Sequence, residues 1–125
     1  MNQIWKNDNL FELLRTEISI LSSQITGFNI HVKDFSLIIE VDIKLLYGKE
    51  ECLKLIFSDI KEYAFYHNSN YTFYNVEAYK LLKKENLFYI SFDPEEEDIS
   101  NISKDDNDLI LCGDIEGYFI EAPLA

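Results

Sequence analysis

The clearest pattern in the chain lies at residues 34–46, which read Asp-Phe-Ser-Leu-Ile-Ile-Glu-Val-Asp-Ile-Lys-Leu-Leu. Apolar side chains occupy every second position from Phe35 to Leu45, and most of the positions between them are polar. A period of two is typical of a β-strand that buries one face. The pattern therefore predicts a strand over 35–46 and favours a mainly β protein.

Strand-like composition continues at 51–57, after a glycine-containing loop at 47–50, so we expect these two strands to pair antiparallel. Upstream, the alternation within 17–33 predicts one or two further strands. The segment before it matches a helical stripe opened by an acidic or amide residue, and a short helix over about 8–15 satisfies both patterns.

The second half of the chain is rich in aromatic residues, which favour strands. We predict a strand at 62–66, a turn at 67–70, and a strand at 87–92 that ends at Asp93-Pro94 because proline lacks the N–H that a ladder needs. The run 73–84 fits either a helix or a strand. Its aromatic and β-branched residues favour the strand.

Near the C-terminus, Gly113-Asp114 separates two apolar runs, 109–112 and 115–120. Glycine in the first position of a two-residue loop is typical of a type II′ hairpin turn. We therefore predict a hairpin with its turn at Gly113.

Together these elements predict one domain over 1–125 with a mainly β fold, an antiparallel sandwich or open barrel with a short N-terminal helix. The alternative is an α+β domain with one antiparallel sheet and helices at 8–22 and 76–85. Forty-seven per cent of the residues are hydrophobic, which is too apolar for a disordered acidic chain.

The chain of 125 residues carries 23 acidic and 11 basic side chains and a formal net charge of -12. This balance argues against nucleic-acid binding through a basic surface, because phosphate neutralisation needs clustered lysine and arginine. The first residues lack the apolar run of a secretory signal, and no stretch is apolar enough to span a membrane. We therefore expect a cytoplasmic protein without a membrane partner.

The sequence predicts no catalytic residue, no metal site and no cofactor, since no motif for nucleophilic, metal or phosphate chemistry is present. His31 alternates with apolar neighbours and is predicted to be a solvated surface residue, and His67 a residue at the edge of a turn. Cys52 and Cys112 lie in apolar surroundings and are predicted to be buried thiols. An enzyme that uses scattered carboxylates is a further functional hypothesis, ranked third after the two that are given below.

The acidic segment, residues 93–108, holds eight acids and one lysine, so it carries -7 of the net charge and leaves -5 for the other 109 residues. An EF-hand loop that starts at Asp106 fails, because Ile110 and Leu111 stand where a ligand and a glycine are required. The segment is either a solvated connection or an anionic contact surface for a basic protein partner. The residues predicted to bind that partner are Glu95, Glu96, Glu97, Asp98, Asp105, Asp106, Asp108, Tyr66, His67 and Tyr71.

Several short strings, among them Phe65-Tyr66-His67-Asn68, Tyr89-Ile90-Ser91-Phe92-Asp93-Pro94 and Ile115-Glu116-Gly117-Tyr118, resemble small acidic, largely uncharacterised proteins of Bacillus-type bacteria. Some similar proteins are regarded as immunity partners of secreted or contact-delivered toxins. The resemblance covers most of the chain from about Trp5 to Phe119. It implies a protein that binds a toxin and contributes no catalytic residues.

Our leading hypothesis is a non-enzymatic cytosolic binding protein, an immunity protein that neutralises a basic toxin or effector. We expect neutralisation of Glu95, Glu96, Glu97, Asp105 and Asp106 to leave folding nearly intact. The alternative hypothesis is a β-domain that binds a small ligand in an aromatic pocket. That pocket would be lined by Tyr63, Phe65, Tyr74, Tyr79 and Phe88.

Overall fold

The computed structural model describes residues 3–46, 52–70, 74–96 and 99–120. Within these ranges the chain forms one α-helix and eight β-strands. In chain order they are β1 (Trp5–Lys6), α1 (Asp8–Thr16), β2 (Ser23–Lys33), β3 (Ser36–Lys44), β4 (Cys52–Ala64), β5 (Asn75–Val76), β6 (Lys80–Lys84), β7 (Leu87–Asp93) and β8 (Asn107–Ile120).

All eight strands belong to one antiparallel sheet, which curls into a half-barrel. The strand order is β5-β2-β3-β4-β8-β7-β6, and the short β1 also pairs with β8. The prediction of a mainly β fold with a short N-terminal helix is confirmed. The α+β alternative is wrong, because 17–22 and 76–85 contain no helix.

The core lies on the inner face of the sheet, which we define as the face that carries Ile39, Val41 and Ile43 of β3. All three are fully buried. Their alternation with half-exposed neighbours reproduces the predicted period of two, and β3 pairs antiparallel with β4 as expected. The loop predicted at 47–50 lies outside the described residues.

The strand predicted over 35–46 begins one residue later than expected. Asp34 and Phe35 form the two-residue turn between β2 and β3, and both have positive φ angles, 52° and 65°. Two such residues in sequence are the mark of a type I′ hairpin turn. The backbone conformation therefore removes Phe35 from the strand, and its side chain is fully exposed.

Helix α1 covers the inner face with Leu10, Leu13 and Leu14, all buried. Their spacing places them on one side of the helix. Gly117 of β8 permits the close approach, since a Cβ atom there would lie only 2.9 Å from Leu10 Cδ1 and 3.1 Å from Leu55 Cδ2. In the described ranges, no helix has the length and apolar character that crossing a membrane requires.

The start of α1 is fastened to the sheet by Asn7. Its N–H donates to the carbonyl of Ile115, and its Oδ1 accepts from the N–H of Ile115, each at 2.9 Å. The backbone N–H and the side chain of Asn7 thus continue the pairing with β8 beyond the end of β1.

Within 73–84, seven residues lie in the short strands β5 and β6, and none of the described residues is helical, so the preference for strand over helix is confirmed. Residue 73 lies outside the described residues. The strand predicted at 62–66 is the end of β4, which stops at Ala64. β7 matches the strand predicted at 87–92 with one residue more.

The hairpin predicted at Gly113-Asp114 is wrong. β8 runs unbroken from Asn107 to Ile120 and pairs with β4 along its length. Gly113 lies opposite Asp59, where a Cβ atom would come within 2.1 Å of the Asp59 carboxylate. Gly113 therefore leaves room for the Asp59 side chain beside the register shift at Ile60–Glu62, and its φ lies outside the left-handed region that favours glycine.

Gly113→Ala should lower the free energy of unfolding by about 0.5–1.5 kcal/mol, because the new methyl group forces the exposed Asp59 carboxylate out of its present rotamer. Asp59→Gly removes that carboxylate and suits the positive φ of 51° at this position. In the Asp59→Gly background the cost of Gly113→Ala should fall by at least half. Urea unfolding of the four variants measures this coupling, and a cost that Asp59→Gly leaves unchanged would contradict the paired arrangement.

Candidate functional site

The acidic segment packs on the outer face of the sheet, over β6 and β7. In β7, Phe88 and Ile90 point into the core, so Tyr89 and Ser91 point outward, yet both are buried. Ser91 Oγ donates to the carbonyl of Asn107 at 2.6 Å. The acidic segment therefore covers the outer side of β7 and is part of the packed structure.

A buried carboxylate, that of Asp106, holds the acidic segment in place. Lys80 Nζ donates to Asp106 Oδ1 at 2.9 Å and to Oδ2 at 3.1 Å, and neither side chain has any exposed surface. Tyr89 Oη donates to Oδ2 at 2.7 Å. The backbone N–H groups of Glu95 and Ser103 donate at 2.8 and 3.0 Å. Asp106 thus joins strands β6 and β7 to both halves of the acidic segment.

The ionisation of this cluster follows from its contacts. Burial alone would raise the pKa of Asp106, but hydrogen bonds from the Ser103 backbone, Lys80, Tyr89 and the Glu95 backbone outweigh it and hold the pKa below its ordinary value. Burial, and next the hydrogen bond to Asp106, raise the pKa of the Tyr89 hydroxyl. At neutral pH Asp106 is an ionised acceptor and Tyr89 a neutral donor.

The other end of the acidic segment meets the residues that follow β4. The N–H of Tyr66 donates to Asp108 Oδ1 at 3.1 Å, and Asp108 is buried. Tyr66 is 60% exposed, and His67 beside it is also exposed. Two groups of predicted site residues, far apart in the chain, are therefore adjacent in the structure.

The acids predicted to bind the partner, together with Tyr71, fall into three groups. Asp106 and Asp108 are buried acceptors, so a partner cannot reach their carboxylates, and their place in the predicted surface is corrected. Glu95 is half-buried and accepts from the Ser103 hydroxyl, while Glu96 and Asp105 are exposed. The remaining three, Glu97, Asp98 and Tyr71, lie outside the described residues.

Two exposed isoleucines of the acidic segment, Ile99 (67%) and Ile102 (41%), were not predicted to be functional. The sequence signal that could have identified them is an apolar residue within a strongly polar run. We call the exposed surface of the acidic segment and its neighbours the acidic face. It is formed by Glu95, Glu96, Ile99, Ile102 and Asp105, and Tyr66 and His67 adjoin its Asp108 end.

The histidine and cysteine residues considered as candidates for chemistry lie in surroundings that do not favour a catalytic role. His31 is partly exposed and lies 3.5 Å from Glu40 Oε2. Cys52 and Cys112 are buried thiols, as predicted. Burial, and next the charge of Asp114, raise the pKa of the Cys112 thiol to about 12, so a nucleophilic thiolate is disfavoured. The described residues contain no group of three or more side chains placed to hold a metal ion.

The described part of the interior is too full for an organic ligand. A cavity of about 10 Å³ lies between α1 and the sheet, and Phe88 is one of its lining residues. Such a volume accommodates about one water molecule, whereas small-molecule sites measure about 300–1,000 Å³. Of the other predicted pocket residues, Phe65, Tyr74 and Tyr79 pack against the edge of the core, whereas Tyr63 is 42% exposed.

The acidic face can offer carboxylates, a phenol ring and apolar side chains to another molecule on a backbone that is already in place. Comparison of the chain with protein-family models, with curated proteins and with solved structures gave no match. A functional proposal therefore depends on the geometry of this surface.

Asp106→Asn should lower the free energy of unfolding by about 3–5 kcal/mol, because it leaves the buried Lys80 ammonium without a counter-charge. Asp105→Asn, one residue earlier and exposed, is the matched control and should change it by less than about 0.5 kcal/mol. Urea unfolding at neutral pH compares the two. Equal effects would contradict the different burial of these neighbours.

The same carboxylate predicts a pH dependence. The pKa of Asp106 is lower in the folded than in the unfolded chain, so its contribution to stability is complete above the unfolded pKa and is lost as pH falls through the folded pKa. The stability of the wild-type chain should therefore decline more steeply on the acid side than that of Asp106→Asn. Parallel curves would show that Asp106 is not the group responsible.

Proposed function

We propose that the chain is a non-enzymatic cytosolic binding protein that associates with a basic protein through the acidic face. We further propose that this partner is a toxin or effector, which the chain neutralises as an immunity protein. The observation that carries the proposal is the buried Asp106–Lys80 pair, which fixes a strongly acidic segment to the sheet while leaving Glu96 and Asp105 in solvent.

Charge supports a basic partner. The chain has a net charge of -12, and more than half of it belongs to the acidic segment. A concentration of one sign of charge attracts an oppositely charged protein and raises the association rate. The burial of Asp106 with Lys80 neutralises only one of these acids.

Apolar side chains on the acidic face supply the second requirement of a protein interface. Charged rims guide association, whereas binding free energy comes mainly from a few desolvated apolar or aromatic residues. Ile99, Ile102 and Tyr66 are exposed at 67%, 41% and 60%. They are the residues that we expect a partner to cover.

Rigidity is the third support. A disordered acidic loop would lose conformational freedom on binding, and that loss weakens affinity. The described part of the acidic segment is hydrogen-bonded through Glu95, Ser103 and Asp106 before any partner arrives. A toxin is proposed as the partner because of the resemblance that we expect from the sequence strings quoted above.

The product of the neighbouring open reading frame is the partner to test, because an immunity protein is usually encoded beside its toxin. Stopped-flow mixing should give an association rate that falls at least tenfold between about 20 and 200 mM salt. The double variant Glu96→Gln/Asp105→Asn should slow association about two- to fivefold with little change in dissociation. Ile99→Ser should instead speed dissociation.

The matched control is Glu17→Gln/Glu77→Gln, which removes the same charge from exposed positions outside the acidic face. It should retain most of the wild-type association rate. Equal slowing by both double variants would contradict the assignment to the acidic face. An acidic neighbouring product, or no association at low salt, would contradict the proposal of a basic partner encoded beside the chain.

A further inference from the structure

A groove of about 340 Å³ lies on the outer face of the sheet, where β1, β3, β4 and β8 meet. We propose that it receives an arginine side chain of the basic partner. This inference rests on the proposed function and names a second contact, distinct from the acidic face. The groove is lined by Lys6, Asn7, Ile38, Ile56, Ser58, Asp114, Ile115 and Glu116.

Strand register determines the layout of the groove. Leu55 and Phe57 are buried in the core, so Ile56 and Ser58 between them point outward. The β4–β8 pairing places Ile56 opposite Glu116 and Ser58 opposite Asp114. Both β4 side chains in the groove, Ile56 and Ser58, therefore have a carboxylate as their cross-strand neighbour.

The floor of the groove is apolar. Ile38 is one residue before the β3–β4 pair Ile39–Phe57, so it lies beside Ser58, and both Ile38 and Ile56 are half-buried. Isoleucines on the outer face of a sheet are suited to pack against the methylene groups of a long basic side chain.

Hydrogen-bonding capacity remains at one end of the groove. Asn7 Nδ2 donates to Asp114 Oδ1 at 3.3 Å. Within the described residues, Asp114 Oδ2 and the Ser58 hydroxyl have no hydrogen-bond partner. A guanidinium group carries five N–H donors in a planar fork, which matches a carboxylate and a neighbouring hydroxyl better than a single ammonium does.

At the other end, Lys6 already interacts with one carboxylate of the groove. Lys6 Nζ lies 3.6 Å from Glu116 Oε1, and the lysine side chain is 67% exposed. Such an ion pair contributes little, about 0–1 kcal/mol, so an entering guanidinium can displace it. Lys6 is thus an internal competitor for Glu116.

The nearby charges do not reverse this attraction. Glu40, beside Ile56 in the register, lies 3.8 Å from Lys54 Nζ, and the same ammonium is 3.5 Å from Asp42 Oδ1. One lysine thus faces two acids, and the charges that face the groove sum to a negative value. A cationic occupant fits this field.

The test uses the full chain and a defined probe, the blocked peptide hexa-arginine amide, followed by two-dimensional ¹H–¹⁵N NMR. Saturable shifts are expected at the backbone amides of Ser58, Asp114 and Glu116. A hexa-citrulline peptide keeps the shape of the side chain without its charge and should produce none of these shifts.

Variants separate the groove from general electrostatic attraction. Asp114→Asn, which retains an acceptor for Asn7, and Glu116→Gln should each weaken binding of the arginine peptide about two- to fivefold. Lys6→Gln should tighten it about two- to fourfold, because the competitor is removed. The matched controls Glu17→Gln and Lys84→Gln, with the same charge changes at exposed positions elsewhere, should alter the Kd by less than about 1.5-fold.

Each contrary result has a definite meaning. Shifts confined to the acidic face would overturn the groove and leave the proposed function standing. Shifts of the groove amides with the citrulline peptide would overturn the role of charge. Equal tightening by Lys6→Gln and Lys84→Gln would overturn the competition at Glu116. If the groove binds the arginine peptide but the chain does not associate with the product of the neighbouring open reading frame, the proposed function fails. The groove as a site for arginine would then still stand.

Discussion

Strands β4 and β8 pair from Cys52–Ile120 to Ala64–Leu109, and this long ladder positions the other elements. On its inner side, Gly117 leaves room for Leu10 of α1. On its outer side it places Ser58 beside Asp114 in the groove. β3 joins the ladder along β4, while β7 and β1 join it along β8. The core, the groove and the end of the acidic segment therefore share one register.

Much of the fold was predictable wherever a single period dominated. The alternation around Ile39 and Val41 predicts β3, and the compact run at 87–92 predicts β7. The error at Gly113 has a physical cause, since a turn and a close approach between strands both require a missing Cβ. Local sequence cannot distinguish them, because Asp59, the residue that needs the space, is more than fifty positions away.

The candidate site was predictable as a segment and not as individual residues. Composition identifies the excess charge of the acidic segment, but Asp105 and Asp106 are the same residue type in the same local context. Only the long-range contacts with Lys80 and Tyr89 make one of them buried. Lys80 itself carries no local signal, because a lone lysine in a strand is usually exposed. The groove depends on the register of paired strands, so it could not be predicted from the sequence either.

The division between one buried acid and several exposed ones has an evolutionary consequence. Asp106 and Lys80 must change together or not at all, since either alone leaves a buried charge without compensation. Glu96 and Asp105 face only solvent, so selection for the fold does not act on them. Substitutions that keep the buried pair can therefore change the exposed residues of the acidic segment while the scaffold stays constant.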